Sequence, residues 1–170
     1  SLVGSEMCIR DSRQVVEEAI NHLVDFRKQE GTALEKKFNE KIDNIESLLK
    51  SIEPYETERV AKIRERITDA LEKTISVDYD KNRLEQELIY YIEKLDINEE
   101  KQRLSNHLRY FRETMAGGHG QGKKLGFIAQ EMGREINTTG SKSNHAEMQN
   151  IVVQMKDELE QIKEQVLNVM

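Results

Sequence analysis

The chain has 170 residues, 34% of them charged and 36% hydrophobic, with a single Pro and no Trp. That is enough for one domain of ordinary size, and the composition argues against a large β-sheet or doubly wound domain, which would want more β-branched residues, aromatics and turn punctuation. No apolar run approaches membrane-spanning length. The formal charge of −6 argues against nonspecific nucleic-acid binding by bulk charge and leaves room for a local basic groove.

Residues 1–12, SLVGSEMCIRDS, lack the helical period that follows them. The stretch resembles a translated sequencing-adapter read-through, so a non-native leader is expected there. It has neither the basic start nor the continuous apolar core of a secretory signal. The only cysteine, Cys8, lies within it. The remainder has no disulfide, no CxxC and no thiol nucleophile, which fits a reducing cytoplasm.

From about Arg13, apolar residues recur at helical spacing: Val16, Ile20 and Leu23, then Leu34, Phe38, Ile42, Ile45, Leu49 and Ile52. Pro54 ends this run, and a second follows with Val60, Ile63, Ile67 and Leu71. These two long helices are expected to form a hairpin, an oligomerisation arm over 13–78. The stretch Thr74–Asp80 interrupts the pattern, with Asp80 placed to cap the next helix. A third helix is predicted from about Lys81 to Met115, with a polar middle at Asp96–Glu100 that could bend.

Gly117–Gly122 reads as a flexible connector, and a fourth helix is predicted over 123–136. A polar loop over 137–144 then leads to the clearest heptad in the chain: Met148, Ile151/Val152, Met155, Leu159, Ile162, Val166 and Val169. The expected fold is all-α, a long helical hairpin followed by a compact antiparallel helical domain over 79–170 that carries the site. The narrow apolar stripes imply burial against other copies of the chain.

The residues suited to chemistry cluster around the fourth helix and the loop after it. Glu131 and Glu135 are four apart and share a helical face, where two carboxylates could hold a hard divalent cation. The alternative is a solvated face with Arg134 bridging the two glutamates. On the third helix, Glu100, Arg103 and His107 fall at i, i+3 and i+7, a spacing that serves metal or acid–base sites in bundles. His107 could equally be a hydrogen-bonded boundary residue. His22 and His145 have no comparable setting, and His119 sits in the glycine connector. Gly140–Ser143 lacks the full phosphate-loop pattern, yet Lys142 and a helix N-terminus could still meet a phosphate, with Lys123 and Lys124 adding positive charge.

The run Gly122–Phe127, GKKLGF, followed by Gln130–Asn144, QEMGREINTTGSKSN, resembles the signature of the YicC/YloC family. The resemblance extends through Glu99-Glu100-x-x-Arg103-Leu104-x-x-His107-Leu108, Arg83-Leu84-x-Gln86-Glu87, Phe26-Arg27-x-x-Glu30-Gly31-x-x-Leu34 and Glu164–Val169. It covers nearly everything from Arg13 to Met170. It implies a bacterial cytoplasmic endoribonuclease that needs Mn²⁺ or Mg²⁺ and assembles as a hexamer, and that carries a further domain before this region. Carried over, it implies catalytic roles for His107, Glu131 and Glu135. The same residues with Glu99 and Glu100 would ligate metal, and Arg103, Lys124, Arg134, Asn137, Ser141 and Lys142 would contact RNA. Gly126 stands where the family usually has Asp, and Gly133 where it usually has Asn. The alternative function is a non-catalytic helical module for oligomerisation and RNA or protein interaction.

Overall fold

The computed structural model describes residues 2–74, 80–118 and 120–169. The described residues form six helices and no strand: α1 (Leu2–Lys50), α2 (Glu53–Thr74), α3 (Lys81–Lys94), α4 (Asn98–Ala116), α5 (Gly122–Lys142) and α6 (Ala146–Leu167). The chain divides into two units, residues 1–38 and 39–170. In the first, α1 already begins at Leu2, earlier than the expected start near Arg13. Its large apolar residues from Val3 to Phe26 are exposed, among them Val16, Ile20, Leu23 and Phe26.

The second unit holds the core. Ile42, Ile45, Leu49 and Ile52 are buried there with Ile63, Leu88, Leu104, Leu108 and Phe111, and with the inward faces of α5 and α6. The heptad read in α6 is that face: Met148, Ile151, Val152, Met155, Leu159, Ile162 and Val166 are all buried. Val169, which the sequence pattern placed at the end of that heptad, is exposed.

The first two helices, expected as a hairpin, are joined through a bend at Ser51–Ile52. The amide of Ser51 donates to Ser47 O and that of Glu56 to Ile52 O, so helical bonding is nearly continuous across it. Pro54 is the second residue of α2, where its missing N–H and fixed φ suit a first turn. The residues expected to interrupt α2 and α3, 75–79, lie outside those described, but Asp80 caps α3 as expected. Its carboxylate accepts from Asn82 N at 3.0 Å and Arg83 N at 3.4 Å.

Two expectations are corrected. The predicted third helix is two, since the polar segment Asp96–Glu100 breaks the chain between Lys94 and Asn98. The buried Ile97 anchors that junction, and Asp96 accepts from Asn98 N at 3.4 Å. The predicted loop 137–144 is mostly helix, because α5 runs on to Lys142. Hydroxyls that ordinarily compete with helical backbone here bond back to the preceding turn instead. Thr138 Oγ1 donates to Arg134 O, Thr139 Oγ1 to Glu135 O, and Ser143 Oγ to Thr139 O, at 3.0, 2.8 and 2.6 Å. The link to α6 is therefore only Ser143–His145.

Candidate active site

The antiparallel pair α4–α5 carries the residues singled out in the sequence. Its register is fixed by three contacts along its length. Lys142 Nζ lies 2.7 Å from Glu100 Oε1, Arg103 Nη1 lies 4.0 Å from Glu135 Oε1, and Lys124 Nζ sits 4.9 Å above the Tyr110 ring. One turn on from Arg103 is His107, and one turn back from Glu135 is Glu131. Antiparallel progression thus sets His107 and Glu131 at the same level of the seam.

Burial divides the acids into two kinds. Glu100 and Glu135 are each 5% exposed, whereas Glu99 is exposed and Glu131 is intermediate. Glu100 faces Lys142, and its second oxygen, Oε2, is buried without a hydrogen-bond partner. The charge partner of Glu135 is Arg103, which also pairs with Glu99 on its own helix. Arg134 pairs with Glu131 at 3.4 Å, the contact foreseen in the solvated-face alternative. Among the described residues, no three His, Cys, Asp or Glu side chains gather in a geometry for holding a metal ion.

The RNA-contact candidates differ in how free they are. Arg134, Lys124, Asn137 and Ser141 are exposed, though Ser141 Oγ donates to Thr138 O at 2.9 Å. Lys142 is committed inward, since Nζ also donates to Asp96 O at 3.2 Å. His119 lies outside the described residues.

The two departures from the signature fall away from this seam. A Cβ on Gly126 would lie 3.5 Å from Val166 Cγ1, and one on Gly133 would lie 3.3 Å from Leu159 Cδ2. Both positions face α6. Gly133 is two residues from Glu131 and from Glu135, which on a helix is about 160° of rotation.

Two residues that the sequence reading passed over are structurally prominent. Arg59 is 5% exposed and ties two helix ends together, donating to Lys142 O and Leu95 O, each at 2.9 Å. Burial pushes its pKa down, opposed by Glu56 and Asp96. Its signal in the sequence was a cation set into an apolar stripe, four residues before Ile63 and seven after Ile52. His145 caps α6, its Nδ1 accepting from Glu147 N at 3.2 Å, and its ring lies 5.4 Å from that of Tyr55. Its signal was its place immediately before the last helix.

Against known proteins, a family model described as endoribonuclease YicC-like, C-terminal, matches residues 52–170, most of the chain. The chain belongs to the endoribonuclease YicC-like family. It is 36% identical over 160 residues to a protein named probable endoribonuclease YicC from Clostridioides difficile (strain 630), covering 92% of this chain and 54% of that protein. A protein of the same name from Haemophilus influenzae is 28% identical over 159 residues, covering 94% of this chain and 55% of the relative. The chain thus spans about half the length of these YicC relatives. All six residues of the seam whose contacts set its register fall within the family match, as do His107 and Glu131.

Proposed function

We propose that this chain takes part in endonucleolytic cleavage of RNA, and that the α4–α5 seam supplies its acidic and imidazole groups. The observation that carries the reading is Glu135, buried and facing Arg103, with His107 and Glu131 level with each other one turn along, in a family named for endoribonuclease activity. Buried carboxylates beside cations and a histidine are a common basis for acid–base chemistry.

In this reading Arg103, Arg134 and Lys124 attract the RNA backbone, since phosphate contacts need only positioned positive charge. His107 is then the group on the seam that accepts the proton. If it takes the 2′-OH proton, the 2′ oxygen attacks phosphorus, the 5′ oxygen leaves with a proton, and the product is a 2′,3′-cyclic phosphate. If a water is deprotonated instead, the products are a 5′-phosphate and a 3′-OH.

A divalent cation fits the donor set. Mg²⁺ and Mn²⁺ prefer oxygen ligands, and Mg²⁺ is usually held by one or two carboxylates with waters and substrate phosphates rather than by a full protein cage. Glu131 and Glu135 would hold it, with His107 level with Glu131 as a further donor, whereas Glu99 and Glu100 are paired with Arg103 and Lys142. Bound there, it would polarise a phosphoryl oxygen.

The test is cleavage of a labelled single-stranded RNA with Mn²⁺, with EDTA, and by Glu131→Ala and Glu135→Gln variants. Loss of cleavage in EDTA and in both variants is expected. Cleavage unaffected by the two substitutions would move the chemistry off this seam.

A second reading rests on α1. Val16, Ile20 and Leu23, at i, i+4 and i+7, are 56%, 53% and 52% exposed, an apolar face suited to association with another copy of the chain. It supports a homo-oligomer, with a hexamer as the assembly to test by light scattering. A folded oligomer that binds RNA without cutting it would favour the interaction-module function.

A further inference from the structure

The sequence hinted at a phosphate near the start of the last helix, but the residue nominated for it, Lys142, is turned inward onto Glu100. A different set of cations converges there. A cleft of about 250 Å³ is lined by Arg59, Lys62, Ile63 and Arg66 of α2 and by Asn144 and His145 ahead of α6. We infer that this cleft is a phosphate-binding site, taking a phosphate dianion that stands alone or is carried on a small molecule.

Arg59, Lys62 and Arg66 follow one another at i, i+3 and i+7, so all three project from one face of α2. They meet the N-terminus of a 22-residue helix, where unpaired amides and the helix dipole favour an anion. Lys62 is shared with Glu58, 2.7 Å away, whereas Arg66 is exposed and makes no ion pair among the described residues.

The buried donors point the same way. Because Nδ1 of His145 accepts the Glu147 amide, the proton of the neutral ring sits on Nε2. His145 is 8% exposed, and Nε2 is buried with no hydrogen-bond partner. Arg59 Nε is buried and unpartnered too, although both Nη atoms are satisfied. Buried donors without acceptors are costly, and an entering oxyanion supplies acceptors. Among the described residues the acid against the ring is Glu58, its Oε2 3.5 Å from Nε2, and its side chain is 46% exposed, free to turn outward when a dianion enters. The volume is below the ~300 Å³ at which pockets begin to enclose drug-sized ligands, so the site reads a phosphate and little beyond it.

The experiment is an NMR titration of the chain with inorganic phosphate, uridine 5′-monophosphate and uridine, following the backbone amides of Ala146 and Glu147. Saturable shifts with both phosphates and none with uridine are expected. Equal affinities would identify free phosphate as a sufficient ligand, and tighter binding of the monophosphate a nucleotide as its source. Arg66→Gln is expected to weaken binding about tenfold, and Arg64→Gln, on the same helix but paired with Glu85, to leave it unchanged. His145→Asp keeps a capping acceptor while adding a negative charge, and is expected to abolish binding. No saturable shift with phosphate, equal effects of the two arginine substitutions, or uridine binding as tightly as its monophosphate would each overturn the inference.

Discussion

Lys142 reaches from the last turn of α5 to α4 and sets its ammonium 2.7 Å from Glu100, a carboxylate whose other oxygen is buried and unpaired. The same lysine donates to Asp96 O at 3.2 Å, and its own carbonyl accepts from Arg59 at 2.9 Å. Three helices are thereby fastened at one residue that the signature places among surface contacts.

Removing this ammonium strands a buried charge. Breaking a fully buried pair costs about 3–5 kcal/mol, and the 31% exposure of the Lys142 side chain argues for the lower part of that range or less. Lys142→Met is expected to lose about 2 kcal/mol in urea unfolding, and the double variant with Glu100→Gln to recover part of it. A Lys142→Met protein as stable as the parent would show that Glu100 finds another partner.

The glycines of α5 give opposite expectations at two positions. A Cβ at 126 would make ordinary contact with Val166 at 3.5 Å, so Gly126→Ala should gain the helix-propensity difference of about 1 kcal/mol. At 140 the Cβ would stand 3.0 Å from Val152 Cγ1, a β-branched side chain with little rotamer freedom. Gly140→Ala should therefore lose stability despite the better propensity. Thermal unfolding of the two variants checks both signs.

Much of this was legible in the sequence, and the failures have physical causes. The α6 heptad and the Asp80 cap were read correctly because periodicity and capping act locally. The end of α5 was misread because Asn137, Thr138, Thr139, Gly140 and Ser141 each disfavour helix by themselves. Their hydroxyls bond back to the preceding turn, and Thr139 and Ser143 are buried, so tertiary packing decides. Spacing put Glu131 with Glu135, and Arg103 with His107, on shared helical faces, and it was the family resemblance that joined the two sets. What spacing could not show is depth: that Glu100 and Glu135 are buried while Glu99 is not depends on how α5 lies on α4. Arg59 was passed over because its partners are 36 and 83 residues away, and His145 was set aside although its cap on Glu147 is local, because its contact with Glu58 is not.

Acid should reveal Glu58. Its hydrogen bond to Lys62, with further help from Lys62 and His145, holds its carboxyl below the ordinary 4.5. The unfolded chain then takes up the proton more readily than the folded one, so the stabilisation is complete above 4.5 and is lost as pH falls through the lower folded value. Glu58→Gln should be slightly less stable than the parent near neutrality and indistinguishable from it in strong acid. Parallel denaturant titrations at both pH values measure the difference.

Arg103 and Lys142 were both nominated as phosphate contacts, and the structure separates them. Arg103 is 56% exposed and its pairing with Glu135 spans 4.0 Å, so the pair is well screened and worth under ~1 kcal/mol. Its closer pair, with Glu99, is exposed on both sides, so its charge can still be shared with an incoming backbone. Arg103→Met should leave the unfolding midpoint nearly unchanged. If RNA binds along the seam, it should also lower the slope of log affinity against log salt by about 0.7, one single-strand phosphate contact. Lys142→Met should do the reverse, losing stability and leaving the slope alone, because its ammonium is occupied by Glu100. Fluorescence anisotropy with a labelled single strand at several salt concentrations resolves the two. An unchanged slope for Arg103→Met would take RNA off this part of α4, and a reduced slope for a stably folded Lys142→Met would mean that the Glu100 pair opens when RNA binds.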